Sequence, residues 1–580
     1  MSGPGSCTPT GGAAGRARRS PITPTFYNLG NLCLARGQRA EAVALYRRAL
    51  ALNAEFAEAY NSLGAALVEQ GERAQAAACF ARALELTPEL IETYADLRAT
   101  LFRVNPTIKF AVERASNAWP GRLSLPELVG AESLVPVSAD PLLLAMLRSG
   151  PVRDIGLERM LTMLRAALLQ AASSRDAGFS DNETLGLACA LAQQCFINEY
   201  VFADTPEEIE RIQVLRAEVA AALRSGVPIA PLAVAVCASY ESLAAVADEH
   251  PALLDRPWPE SLQSVLTQQV RETRQERALR KAIPQLTPIG DAVSLRVRQQ
   301  YEENPYPRWV FAGTPPQPQT VTEYLRQKFP WSTIRPIGVG EDVDVLVAGC
   351  GTGRHPIGLA RTFRGARVLA VDLSLASLSY ALRKTRELDL SNIEYAQADI
   401  LQLGMLDRRF DVIDASGSLH HLADPMAGLR VLLSLLRPHG VLALGLYSEI
   451  GRAEIVAAQR FVAERGFLPT VEDIRRCRQV LADGPLRRVT QFNDFFTTSG
   501  CRDFLLHAQE HRFSLSQIEV VLRKHALNLI GFELAPEVQE VYRARFPQDM
   551  TLTNLAHWQS FERDRPETFA GMYQFWAQKS

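Results

Sequence analysis

Val343-Asp344-Val345-Leu346-Val347-Ala348-Gly349-Cys350-Gly351-Thr352-Gly353 is a short apolar run that breaks into three alternating glycines, and its reading decides the fold. The apolar half reads as a buried strand. The glycines mark a turn that either adopts backbone angles closed to residues with a Cβ or lets a ligand approach the main chain. A helix beginning near His355 is expected next, and its free N–H groups and positive dipole end suit a carboxylate. A dinucleotide fingerprint would place its third glycine where this chain has Arg354, a bulky charge at a point of close helix packing. No Gly-Lys-Ser/Thr follows, so a phosphate-binding P-loop is excluded.

Downstream, Arg367 to Val371, Ile393 to Ala396, Val412 to Ala415 and Val441 to Leu446 repeat the short apolar pattern between helical stretches. That alternation predicts a parallel sheet with right-handed crossovers and a ligand site at the C-terminal strand ends. Leu527 to Leu534 and Gly571 to Gln578 read as two further strands, forming a terminal antiparallel hairpin. The helical stretch at about 453–526 is then an insertion. Asp372 closes the second strand 19 residues after Gly353, placed to accept both hydroxyls of a ribose. Asp399 closes the third strand in Gln397-Ala398-Asp399-Ile400, placed to accept from an adenine amino group. For each acid the alternative is a helix cap or a solvated strand end.

Taken together, Val345 to Gly353, Asp372, Asp399 and Phe410 to Pro425 resemble the cofactor motifs of class I S-adenosylmethionine-dependent methyltransferases. The resemblance implies a Rossmann-like seven-stranded domain with S-adenosyl-L-methionine as cofactor. It implies that Gly349, Gly351 and Gly353 lie against the methionine part, that Asp372 binds the ribose and Asp399 the adenine, and that Ile400 and Ser416 belong to the same binding surface. Ala348 departs from the pattern, since many family members carry an acid nearby.

Working back towards the N-terminus, Pro284, Pro288 and Gly290 punctuate a linker. Residues 121–290 read as helix after helix, with Cys195 to Phe202 as buried core. Before them, a shift of 34 positions aligns Phe26 with Tyr60, Leu29 with Leu63, Gly30 with Gly64, Ala42 with Ala76, Tyr46 with Phe80 and Ala49 with Ala83. Small residues let two helices approach while aromatic and Leu positions fill the space between hairpins. The pattern, including Pro88, resembles tetratricopeptide repeats over residues 24–120, with Ala54 and Arg98 as departures. Residues 1–23 read as a disordered tail, and 291–580 as the catalytic domain. The overall fold class is multidomain: an all-α N-terminal half followed by an α/β domain. The whole arrangement resembles bacterial tetratricopeptide-containing methyltransferases.

Methyl transfer from a sulfonium is a direct displacement that needs alignment and, for some acceptors, a base. Three segments offer candidates. In Ser418-Leu419-His420-His421, after the fourth strand, His421 is the candidate base, with structural hydrogen bonding as the other reading. In Gln300 to Trp309, dense aromatics around prolines suggest a rigid lid, and Tyr301 and Tyr306 would line the transfer channel. Cys501 to His511 reads as helical, so that Asp503, His507 and His511, at i, i+4 and i+8, share a face with Arg502 nearby as a substrate-binding surface. One helix rarely closes a tetrahedral metal site unaided, and no metal is assigned.

The 580 residues carry a formal net charge of -2, no sustained basic block, no run of 18 apolar residues and no Cys-x-x-Cys. These features argue against nucleic acid, membrane and zinc-ribbon readings and favour a cytoplasmic protein. The expected activity is methylation of N or O on a protein, peptide or small molecule, with the helical arms recruiting or shaping the substrate and the repeats either docking a peptide or protein or capping the next domain. The rival reading is a non-catalytic S-adenosylmethionine-binding scaffold or sensor.

Overall fold

The computed structural model describes residues 22–87, 94–130, 134–174, 182–313, 315–338 and 342–580. Residues 1–21 of the expected tail, and Pro88, lie outside that set, whereas Thr23 already belongs to the first helix, Ile22–Ala35. The chain forms two compact units, residues 1–106 with 140–145, and residues 107–139 with 146–580.

In the first unit the helix Ile22–Ala35 pairs with Arg39–Leu52, and Ala57–Glu69 with Arg73–Leu86. The reason for the 34-residue period is visible in the packing. A Cβ on Gly30 would stand 2.6 Å from the Tyr46 ring, and one on Gly64 2.9 Å from the Phe80 ring, so each hairpin closes a glycine onto an aromatic. Ala42, Ala49, Ala76 and Ala83 are wholly buried beside them.

The second unit is built on one seven-stranded sheet, ordered β3-β2-β1-β4-β5-β7-β6. Its strands are β1 Val343–Ala348, β2 Ala366–Asp372, β3 Ile393–Gln397, β4 Phe410–Ser416, β5 Leu436–Tyr447, β6 Leu527–Phe532 and β7 Met572–Lys579. Strands β1 to β5 pair in parallel and β7 is antiparallel to both neighbours. The order reverses between β1 and β4, which opens a crevice beyond the carboxyl end of β1, where the glycines lie. Strands β6 and β7 pair antiparallel as expected, with helices Pro536–Arg545 and Leu555–Asp564 in their connection; these bury Tyr542, Trp558 and Phe561 against the sheet. One expectation differs. Asp399 lies two residues beyond β3 rather than closing it.

Within the same unit, helices Asn182–Ile197 and Pro231–Tyr240 are apolar nearly all round and buried, as helices at the centre of a bundle must be. The first ends in a left-handed turn at Glu199 and Tyr200, φ 58° and 59°. The insertion after β5 grips that turn. Thr498 donates its N–H to the Asn198 carbonyl at 3.2 Å and its hydroxyl to the Glu199 carbonyl at 2.8 Å. Arg478 forms a bidentate, buried ion pair with Glu158 at 2.7 and 3.0 Å.

Candidate active site

All three loop glycines have positive φ, 84°, 51° and 89° for Gly349, Gly351 and Gly353. What crowds them is protein: a Cβ would meet Ser418 Cβ at 2.4 Å, the Tyr306 carbonyl at 2.8 Å and Ala381 Cβ at 2.5 Å respectively. Helix Arg354–Thr362 starts directly after the loop. Asp372 ties the loop down, accepting from the Gly351 N–H at 2.8 Å and the Ser374 N–H at 2.9 Å, while burial pushes its carboxyl above the usual range. Asp399 is buried; it accepts from the Leu401 N–H at 3.0 Å, capping the short 3-10 helix Ile400–Met405, and its own N–H donates to Thr287 Oγ1 at 2.8 Å. Ile400 is buried, and Ser416, at the end of β4, donates its N–H to Asp414 at 2.8 Å.

The Tyr301-to-Trp309 segment is strapped across this loop. Ser374 Oγ donates to the Tyr301 carbonyl at 3.0 Å, and Glu302 accepts from the Leu375 N–H at 2.5 Å. The Thr352 hydroxyl donates to the Pro307 carbonyl, and the Trp309 indole to the Thr352 carbonyl at 3.1 Å.

Beyond the strap, residues far apart in the chain converge. Tyr301 donates its hydroxyl to Asp503 Oδ1 at 2.5 Å and lies 3.3 Å from His507 Nε2. Tyr306 donates to Asp494 Oδ1 at 2.6 Å. The His421 and His507 rings stack at 3.7 Å. Gln509 sets the protons of both rings: its carbonyl accepts from His421 Nδ1 at 2.9 Å, and its N–H donates to His507 Nδ1 at 3.0 Å. In neutral rings this leaves a bare lone pair on His421 Nε2 and a proton on His507 Nε2. Burial drives both imidazoles down to about 4 and lifts the Tyr301 and Tyr306 hydroxyls well above 10, so all four are uncharged at neutral pH.

His421, Asp503 and His507 offer donor atoms within 4.8 Å of one another, a spacing open to a cation. The Gln509 N–H opposes that use, since ligation through His507 Nε2 would put a second proton against it on Nδ1.

The expected helical face holds for its first two residues only. The helix Thr498–Leu506 is closed by His507 as its C-cap, at φ -60° and ψ 141°. Asp503 and His507 keep the i, i+4 juxtaposition, 3.7 Å apart, and the chain leaves the helix after them. His511 instead lies at Gln509 Nε2, 3.0 Å away, and Arg502 pairs with Glu303 at 2.5 Å. Asp494, Tyr447, Gln509 and Arg452 carry no local signal in the sequence; only tertiary folding brings them near, Arg452 pairing at 2.9 Å with Glu510, which the sequence places beside His507 and His511.

Residues 345–440 match the model of a methyltransferase domain, and residues 30–71 and 57–90 match tetratricopeptide-repeat models. The chain carries a class I S-adenosylmethionine-dependent methyltransferase domain and tetratricopeptide repeats. An uncharacterized protein of Synechococcus sp. is 33% identical over 176 residues, 30% of this chain and 42% of that one. Phosphoethanolamine N-methyltransferase 1 of Arabidopsis thaliana is 28% identical over 139 residues, 24% of this chain and 28% of that one. The chain thus spans less than half the length of either relative. The structure of PKMT2 from Rickettsia typhi in complex with AdoHcy overlaps 48% of this chain and 55% of that one, at 18% identity and TM-score 0.37. Among the described residues no helix is long and apolar enough to cross a membrane.

Proposed function

We propose that the protein is an active methyltransferase that moves the methyl group of S-adenosylmethionine to a nitrogen or oxygen of a protein, peptide or small-molecule acceptor. Gly349, Gly351 and Gly353 with Asp372, Asp399, Ile400 and Ser416 hold the cofactor, whose sulfonium supplies the activated methyl. The acceptor enters between the strap and the insertion. Tyr301 and Tyr306 position it, and His421 Nε2 takes a proton where the acceptor must lose one. The observation that carries this reading is the bare Nε2 of His421, on a ring whose Nδ1 donates to the Gln509 carbonyl at 2.9 Å, beside two tyrosine–carboxylate pairs. A base held in one tautomer and kept neutral by burial is ready to accept a proton without reorganisation. Asp503 and His507 orient Tyr301, and the repeats recruit a protein partner.

The test is transfer of labelled methyl from S-adenosylmethionine into lysate components. Label incorporation that His421→Ala abolishes, with cofactor affinity retained, supports the reading. Tight S-adenosylhomocysteine binding without any transfer would favour the scaffold reading instead.

A further inference from the structure

We propose that the acceptor is an amine, bound as a small cation-forming headgroup between Tyr301, Tyr306, Asp494 and Asp503. This rests on the methyltransferase reading above and names its substrate class.

Negative charge in this cluster is only partly compensated. Among the described residues Asp494 has no ion-pair partner, and Asp503 has only His507, 3.7 Å away. The nearby Arg452 is neutralised by Glu510, which it grips through two bonds of 3.1 and 2.9 Å. Asp503 is buried and Asp494 half-buried, each accepts a tyrosine hydroxyl, and the more distant Arg452 and Arg153 offset the charge of Asp494 only in part, so a positive group between the two carboxylates would relieve their mutual repulsion. The rings that deliver those hydroxyls lie near parallel, 20° apart with centroids 6.4 Å from each other. A phenol that donates to a carboxylate has an electron-rich face, which attracts an ammonium or a methylated nitrogen. Independently, His421 Nε2, on a side chain 7% exposed, has no partner among the described residues and sits in the same cluster.

The chemistry selects the same class. In the transfer step the nitrogen lone pair forms the N–C bond as the C–S bond breaks, and sulfur keeps the electron pair. The cofactor's positive charge is thereby lost from sulfur and appears on nitrogen. Carboxylates at the acceptor stabilise that developing charge in the transition state. An amine bound as its ammonium first gives up one proton through His421 Nε2 to water, which frees the lone pair for this step, and the positive charge returns to nitrogen as the methyl arrives. A carboxylate or phenolate acceptor would instead bring a further negative charge against Asp494 and Asp503, and is disfavoured.

Calorimetry on the full chain saturated with S-adenosylhomocysteine tests this with tetramethylammonium, which cannot be methylated, against neutral neopentyl alcohol of similar size and against acetate. Tetramethylammonium is expected to bind at least ten-fold tighter than the alcohol, with acetate not binding. The D494N/D503N variant, nearly isosteric, should lose that preference while keeping S-adenosylhomocysteine affinity within about two-fold, which also reports its folding. Equal binding of cation and alcohol, no binding of the cation, or a preference unchanged in the variant would overturn the amine assignment and leave the methyltransferase standing. Failure of the unaltered protein to bind S-adenosylhomocysteine would overturn the methyltransferase reading itself.

Discussion

Gln509 holds His421 by a 2.9 Å bond from the ring Nδ1 to its carbonyl, and through its N–H it holds His507 in the opposite tautomer. One peptide unit on each side of Gln509 thus fixes one ring as an acceptor and the other as a donor. His507 Nε2–H then faces the Tyr301 oxygen at 3.3 Å, and the Tyr301 hydroxyl donates to Asp503. His507, Tyr301 and Asp503 form a short hydrogen-bonded chain that ends on a carboxylate.

If His421 is the base, His421→Ala lowers methyl transfer about 100-fold or more, the usual scale for losing one. S-adenosylhomocysteine affinity should stay within about two-fold. Steady-state transfer assays paired with calorimetry check this, and unchanged turnover would remove His421 from the chemistry.

Acidification should loosen this region. His421 and His507 are held near 4 when folded, below the ordinary histidine value of 6.5. Between those limits the unfolded chain binds protons that the folded chain refuses, so stability is full above pH 6.5 and falls as pH drops towards 4. The loss is roughly 3 kcal/mol per imidazole if they titrate independently. Denaturant unfolding at pH 7 and pH 4.5 measures it, and the H421A/H507A double variant should flatten this component.

Gly353→Ala tests the glycine turn. At φ 89°, with a Cβ 2.5 Å from that of Ala381, the substitution strains both the backbone and the packing. A loss of about 2 kcal/mol or more and weakened cofactor binding are expected. Gly358→Ala is the matched control, since Gly358 lies inside helix Arg354–Thr362 with open space at its Cβ position. It should stabilise by about 0.5–1 kcal/mol.

The strands and the glycine turn were legible because they are local. A strand, a glycine turn and an acid at the next strand end are fixed by short spacings, so Gly349 to Gly353 and the place of Asp372 at the end of β2 read from the chain, whereas the order of the strands did not. The repeats were legible for the same reason, as Gly30 meets Tyr46 within one hairpin. The acceptor half was not. Asp494 reaches Tyr306 across 188 positions and Asp503 reaches Tyr301 across 202, and no periodicity encodes such pairings. Helical spacing brings Asp503 and His507 together at i, i+4, but it does not carry to His511, because the helix ends at Leu506 with His507 as its cap.

That dependence on long-range contacts gives the last prediction. The segment carrying Asp494 and Asp503 is anchored through Arg478, whose guanidinium is buried against Glu158 and also donates to the Phe495 carbonyl at 2.6 Å. Removing one partner of a buried ion pair leaves a charge without compensation, at a cost of about 3–5 kcal/mol. Glu158→Ala should therefore lower overall stability and release the insertion. Glu158 touches neither the glycine turn nor Asp372, so the effect on cofactor affinity should be small while turnover falls at least ten-fold. The E158A/R478M double variant, which removes both charges, should recover most of the lost stability. Thermal unfolding, calorimetry with S-adenosylhomocysteine and turnover on the three proteins separate these effects. If turnover in E158A fell only in proportion to cofactor affinity, the insertion would not depend on this anchor.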